Sequence, residues 1–221
     1  MLNYLKQTTN SKVFKETSVL TKGVIIGNIV TTLASLAIAR IFTPTEIGYI
    51  SIFNSVVFIL SSTVTLGFDQ AIIVAKSQKE KSALATVSEI LLISGSFVAL
   101  VFSCLIFYFN IDLKIDLPTE WLFFIPLGMI FLGSITIYNS WFVDQKEYKL
   151  ASNNRVILSG VTAIVQIAVG FWGFTSSGLL VGYLAGRGIS FLHFVIHLKN
   201  SFKRIFDFNN LKTVVNKFQK Y

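Results

Sequence analysis

The chain has 221 residues, 53% of them hydrophobic and only 14% charged, with 21 phenylalanines and a net charge of +8. A soluble globular domain carries nearer a quarter charged residues, and a water-facing surface cannot be built while hiding this much apolar side chain, so a water-soluble fold is excluded. The positive balance would suit nucleic acid or a membrane surface, but the basic residues fall between apolar runs instead of forming one patch, so no nucleic-acid partner is expected.

A helix needs roughly 20 apolar residues to cross about 30 Å of hydrocarbon. Behind the polar stretch Met1–Ser18, which does not read as a cleavable signal peptide, the first span is Gly23–Phe42, expected to serve as its own insertion signal. Thr43-Pro44-Thr45-Glu46 is a capping-box pattern with proline at the first helical position, predicting a tight hairpin into a second span, Ile47–Gly67, with an apolar continuation to Ala75. The third span is Ala83–Phe109, and Cys104 within it reads as a small buried hydrophobe. As the one cysteine of the chain, it also excludes an internal disulfide. Asn110–Glu120 is the longest loop. The fourth span is Trp121–Val143, with Pro126 expected to kink it and Trp121 and Trp141 expected at the two interfaces. The fifth span, Val156–Phe174, turns at Gly173–Gly178 into the sixth, Leu179–Leu198. Runs this long and continuous are helices, not barrel strands of roughly ten alternating residues. The fold class is an all-α membrane bundle of about six helices over residues 1–198. Residues 199–221 form a basic linker, read either as an amphipathic helix on an anionic leaflet or as a plain loop.

Orientation follows from the positive charges. Lys6, Lys12, Lys15 and Lys22, then Lys76, Lys79 and Lys81, then Lys146, Lys149 and Arg155, then Lys199, Lys203, Arg204, Lys212, Lys217 and Lys220 all fall on one side if every span is real. The other side has Arg40 at its edge and Lys114 beside Asp112, Asp116 and Glu120. This places the N-terminus in the cytoplasm.

Ionisable residues inside spans cost at least roughly 2.5–3.5 kcal/mol near mid-membrane and are functional hypotheses. Arg187, in Leu-Ala-Gly-Arg-Gly-Ile of the sixth span, either lines an aqueous cavity for an anionic substrate, pairs with an acid on a neighbouring helix, or snorkels. Glu89 could pair with Arg187, respond to protons or reach the interface. Asp69 could pair with a basic-side Lys or Arg, or act in ion coupling. Arg40 interacts favourably with the C-terminus of the first helix and could also meet substrate. Asn54, Asn139 and Gln166 suit interhelical hydrogen bonds. His193 and His197 are four apart, but no third ligand is apparent, so no metal is expected. No phosphate loop, GxSxG or HExxH occurs, so neither catalytic residues nor a cofactor are expected.

Leu36-Ala37-Ile38-Ala39-Arg40-Ile41-Phe42-Thr43-Pro44-Thr45-Glu46-Ile47-Gly48-Tyr49 and Leu66-Gly67-Phe68-Asp69-Gln70-Ala71 resemble the opening of polysaccharide-biosynthesis flippases. These are the O-antigen and capsule repeat-unit transporters of the multidrug/oligosaccharidyl-lipid/polysaccharide superfamily. The resemblance implies one six-helix lobe of a two-lobe MATE-like transporter, and hence a chain that is part of a longer protein; a half-size dimer is the alternative. It implies a bacterial inner-membrane protein that moves an undecaprenyl-diphosphate-linked oligosaccharide for O-antigen, lipopolysaccharide or capsule synthesis. Its partners would be that lipid-linked oligosaccharide, membrane lipids, and the polysaccharide polymerase and chain-length proteins. Arg40 and Arg187 would meet the diphosphate; Asp69 and Glu89 would be ion-coupling or structural acids. Rival readings are a multidrug or metabolite exporter of the same superfamily, a membrane-embedded enzyme of envelope assembly, and a purely structural membrane protein.

Overall fold

The structure is a computed structural model describing residues 12–109, 111, 116–174, 176–198, 204, 211, 214, 215 and 217, with side chains described from residue 18 onward. The basic residues before Lys12, Asp112 and Lys114 of the long loop, and Lys199, Lys203, Lys212 and Lys220 of the tail lie outside the described residues. Helices α1 Lys12–Ile41, α2 Pro44–Val64, α3 Phe68–Val74 and α4 Gln78–Tyr108 are followed by a 3-10 turn, Thr119–Phe124. Helices α5 Ile125–Asp144, α6 Tyr148–Phe171 and α7 Ser176–Leu198 complete the order. Among the described residues, six segments are long and apolar enough to cross a membrane: Ser18–Ile41, Pro44–Val64, Gln78–Tyr108, Thr119–Asp144, Tyr148–Phe171 and Ser176–Leu198. The protein is a multi-pass helical membrane bundle.

Local chemistry sets the ends. The Thr43 hydroxyl accepts from the Glu46 backbone N–H while the Glu46 carboxylate accepts from the Thr43 N–H at 2.8 Å, so both orphan donors at the start of α2 are satisfied. Ser77 caps α4 by accepting from Glu80 N–H at 3.1 Å. Several helices start earlier than their apolar runs: α1 at Lys12, α4 at Gln78 and α6 at Tyr148. Hydrophobicity marks the membrane-crossing part, whereas backbone hydrogen bonding continues into the polar interface.

Three expectations are corrected. The second span does not run on to Ala75. Leu66 at φ 50° and Gly67 at φ 74° turn left-handed and break the chain between α2 and the short α3. Pro126 does not kink the fourth span, because the span is already divided into a 3-10 turn and α5, and Pro126 sits in the first turn of α5, where its missing N–H costs nothing. Trp121 and Trp141 lie near the two ends of the segment Thr119–Asp144 and face the bundle interior, only 4% and 1% exposed, whereas Trp172, at the end of α6, is 78% exposed. Cys104 points outward from the bundle.

Helix α5 is the central post, packing against α2, α3, α4, α6 and α7, while α1 packs chiefly on α6 and α6 on α7. The α6–α7 seam is close because it carries glycine. A Cβ at Gly186 would lie 3.0 Å from the Thr162 backbone nitrogen, and one at Gly182 would lie 2.8 Å from that of Gln166. Two apolar cores result. One gathers Ile72, Leu84, Tyr138, Trp141, Phe142, Phe194 and Val214 of the tail; the other gathers Phe53, Val57, Trp121, Met129, Leu180 and Tyr183. Large apolar side chains such as Leu33, Phe58, Phe97, Ile164 and Ile196 face outward, as a lipid-solvated surface requires.

The alternation of spans puts Lys22, the Lys76–Lys81 segment, Lys146 and Lys149 at one end, called here the basic end. Lys81 at the start of α4 meets Asp144 at the end of α5 at 2.7 Å, a contact that needs both termini at the same end.

Candidate functional site

On α2, Ile50, Ser51 and Asn54 occupy neighbouring positions on one helical face; on α7, Tyr183 and Arg187 are four apart and therefore stacked. The two faces meet around an open cavity of about 250 Å³ lined by these five residues. The Tyr183 ring, 4% exposed, is held edge-on against Phe53 at 5.3 Å between centroids. The Arg187 guanidinium lies over that ring, with Cζ 3.4 Å from the centroid, and Nη2 donates to Asn54 Oδ1 at 3.1 Å. Its Nε is buried with no hydrogen-bond partner.

Arg187 makes no ion pair among the described residues, and the other cation acting on it electrostatically is Arg155 of α6. A cation–π contact contributes about 0.5–2 kcal/mol and a hydrogen bond from a charged donor about 1.5–3 kcal/mol. Together they match the roughly 2.5–3.5 kcal/mol cost of placing the charge in the bilayer. These contacts offset the cost of placing the guanidinium there, and Arg187 lines the cavity.

The other predicted residues go elsewhere. Arg40 is exposed in the last turn of α1, where it complements the helix C-terminus; it does not line the Arg187 cavity. Glu89 is 8% exposed and pairs not with Arg187 but with Arg204, whose Nε and Nη2 lie 2.7 and 3.2 Å from its two oxygens; the Tyr138 hydroxyl donates to it at 2.8 Å. Glu89 also holds the Arg204 guanidinium even further above neutral pH than an arginine ordinarily titrates. Asp69, 5% exposed, forms no ion pair among the described residues and lines a separate small cavity.

A family model described as polysaccharide biosynthesis protein matches residues 37–218. The chain belongs to that family. Comparison with curated proteins and with solved structures gives no significant match. Membership assigns this polysaccharide biosynthesis protein a role in polysaccharide synthesis or export.

Among the neutral polar residues of this family member, Asn54 holds Arg187, and Gln166 donates to the Leu179 carbonyl across the α6–α7 seam at 3.0 Å. Asn139 is exposed and makes no interhelical bond among the described residues. His193 Nδ1 is 3.0 Å from Asn154 Oδ1, and Asn154 donates to Ser190 at 2.8 Å, a polar chain joining α6 to α7. Tyr183, Ser51 and Arg204 escaped sequence reasoning. For Tyr183 the signal was present, an aromatic residue one helical turn before an intramembrane arginine; for Arg204 there was none. A larger cavity, about 1010 Å³ between α2 and α4, is lined mostly by apolar side chains such as Leu60, Val98 and Phe102, with Glu120 at its edge and no Lys or Arg among its lining residues.

Proposed function

We propose that this protein is a flippase that carries an undecaprenyl-diphosphate-linked oligosaccharide repeat unit across the bacterial inner membrane during O-antigen or capsular polysaccharide synthesis. Its basic end faces the cytoplasm, following the bias of short loops. Family membership supplies the polysaccharide. The observation that carries the transport step is Arg187, a cation without an acidic partner among the described residues, stacked on Tyr183 and lining an open cavity within a membrane-spanning bundle. A diphosphate carries negative charge through the bilayer only if the protein supplies compensating cations and donors, and arginine offers five N–H groups in a fork that fits phosphate oxygens. Asn54 and Tyr183 fix the guanidinium in advance, which reduces the ordering cost on binding.

The chemistry needed is movement and not bond making, so the protein acts as a transporter and not an enzyme. The lobe supplies one wall of the pathway, which opens to the two membrane faces in turn as helical bodies rock about the site. The sugars travel in the polar cavity while the isoprenoid chain stays in the surrounding hydrocarbon. The polymerase and chain-length proteins that use the flipped unit are its expected neighbours. In a strain lacking the gene, Arg187→Ala should restore little surface polysaccharide at normal membrane levels of protein, with Arg187→Lys intermediate. Full restoration by Arg187→Ala overturns the reading.

A further inference from the structure

The cavity of about 1010 Å³ between α2 and α4 is floored by Leu122, Ile125 and Met129, and it shares no lining residue with the Arg187 cavity. The two helices come together at Val64 and Gly95, where a Cβ on Gly95 would lie 2.5 Å from a Val64 methyl carbon. Along α4 the lining runs from Leu91 to Phe107. That is about 24 Å by the helical rise, against a hydrocarbon core about 30 Å thick. The volume stands at the upper limit of small-molecule sites, about 1,000 Å³. A cleft this long, lying within membrane-spanning helices, has the shape of a lipid chain.

Its chemistry fits the same occupant. Besides the apolar walls, two serines of α4 line it, and both have donors satisfied within the protein: Ser94 donates to the Leu91 carbonyl and Ser103 to that of Leu122, each at 2.9 Å. Charge enters the lining at one place. Thr119 and Glu120, both exposed, stand at the start of the span Thr119–Asp144, at the end opposite the basic one. Glu120 makes no ion pair among the described residues, and no Lys or Arg is among the described lining residues. Tyr108, at the end of α4, is 79% exposed, and Phe124, beside Glu120 in the 3-10 turn, is 41% exposed. Exposed aromatic rings at the end of a span mark the level of the lipid headgroups, so Glu120 stands at headgroup depth and the apolar walls stand at chain depth.

We propose that this cleft binds a phospholipid whose headgroup carries a primary ammonium, an ethanolamine phospholipid, with its acyl chains between α2 and α4 and its ammonium on the Glu120 carboxylate. Hydrocarbon inside the cleft is no more apolar than the hydrocarbon outside it, so the chains supply fit and not selection. Selection comes from the headgroup. An ammonium gives a carboxylate charge-assisted N–H bonds, and the Thr119 hydroxyl has a proton to offer the phosphodiester. An anionic phospholipid or a polyprenyl diphosphate would instead bring negative charge to Glu120, with no cation among the described lining residues to offset the repulsion. The cleft therefore takes a membrane lipid of the leaflet opposite the basic end, and it is distinct from the diphosphate site proposed at Arg187.

The test uses the purified full chain, delipidated in detergent, and native mass spectrometry with dioleoyl phosphatidylethanolamine and dioleoyl phosphatidylglycerol, whose chains are identical. The ethanolamine lipid should bind saturably, about two- to fivefold more tightly than the glycerol lipid, the ratio that an exposed ion pair supplies. Glu120→Gln should equalise the two lipids while both still bind. Val98→Trp and Ala99→Phe, which fill the cleft from α4, should lower the occupancy of both lipids; Val98 is 52% exposed, so the larger side chain enters open space. Arg187→Ala should match the parent, so this proposal and the diphosphate reading fail separately. Equal affinity for the two lipids in the parent, or a preference that survives Glu120→Gln, overturns the headgroup assignment. Undiminished occupancy in both cleft-filling variants overturns the placement of the chains. A dimer that those variants dissolve, in place of a bound lipid, would mean that a second copy occupies the cleft.

Discussion

Replacing Glu89 and Arg204, singly and together, measures how firmly the tail is fastened to the bundle. The Glu89 carboxylate is nearly buried and receives N–H groups of Arg204 at 2.7 and 3.2 Å and the Tyr138 hydroxyl at 2.8 Å. Two unit charges about 4 Å apart attract by about 4 kcal/mol at an effective dielectric near 20, but the Arg204 side chain is 49% exposed, so water screens much of this. Fully exposed pairs are worth about 0.2–1 kcal/mol, and breaking a buried pair costs about 3–5 kcal/mol. A half-exposed partner on a buried acid therefore gives a coupling of about 1–2 kcal/mol. Unfolding titrations in mixed micelles of the parent, Glu89→Gln, Arg204→Ala and the double variant isolate that coupling. Additive effects, with a coupling below about 0.5 kcal/mol, would refute the fastening. Tyr138→Phe should cost about a further 1.5–3 kcal/mol, the value of a hydrogen bond to a charged group.

The α6–α7 seam makes a second prediction. Gly186→Leu should destabilise by about 1–3 kcal/mol or more through overpacking, whereas Gly188→Ala, whose Cβ would meet only the Phe131 ring at 3.5 Å, should be nearly neutral in the same titration. Tryptophan fluorescence gives a third: of the three tryptophans, Trp172 alone should be quenched by an aqueous quencher, and Trp172→Phe should abolish the quenchable component, while Trp121→Phe and Trp141→Phe leave it.

The bundle was legible in the sequence because the bilayer dictates both span length and charge placement. The Thr43–Glu46 hairpin was legible because its hydrogen bonds are local, joining residues three apart. What was not legible required knowledge of neighbours. Pro126 reads as a kink in an apolar run, and only the 3-10 turn before it makes it a helix start. Trp121 and Trp141 sit at the predicted ends of a span, but burial depends on which face meets α2 or α4, and a span apolar all round does not disclose that. Glu89 and Arg204 are 115 residues apart, and no periodicity links them. At the candidate site, Arg187 was found because a charge among apolar residues is conspicuous. Arg40 was proposed on the same ground; it lies exposed at a helix end, away from the residues that line the Arg187 cavity.

Binding of undecaprenyl diphosphate to the purified protein in micelles, followed by native mass spectrometry, bears most directly on the role of the uncompensated guanidinium. The parent protein should hold the diphosphate, Arg187→Lys should hold it more weakly, Arg187→Gln should lose it, and Asn54→Ala should fall between parent and Arg187→Gln. Equal binding by the parent and Arg187→Gln would contradict a diphosphate site between α2 and α7.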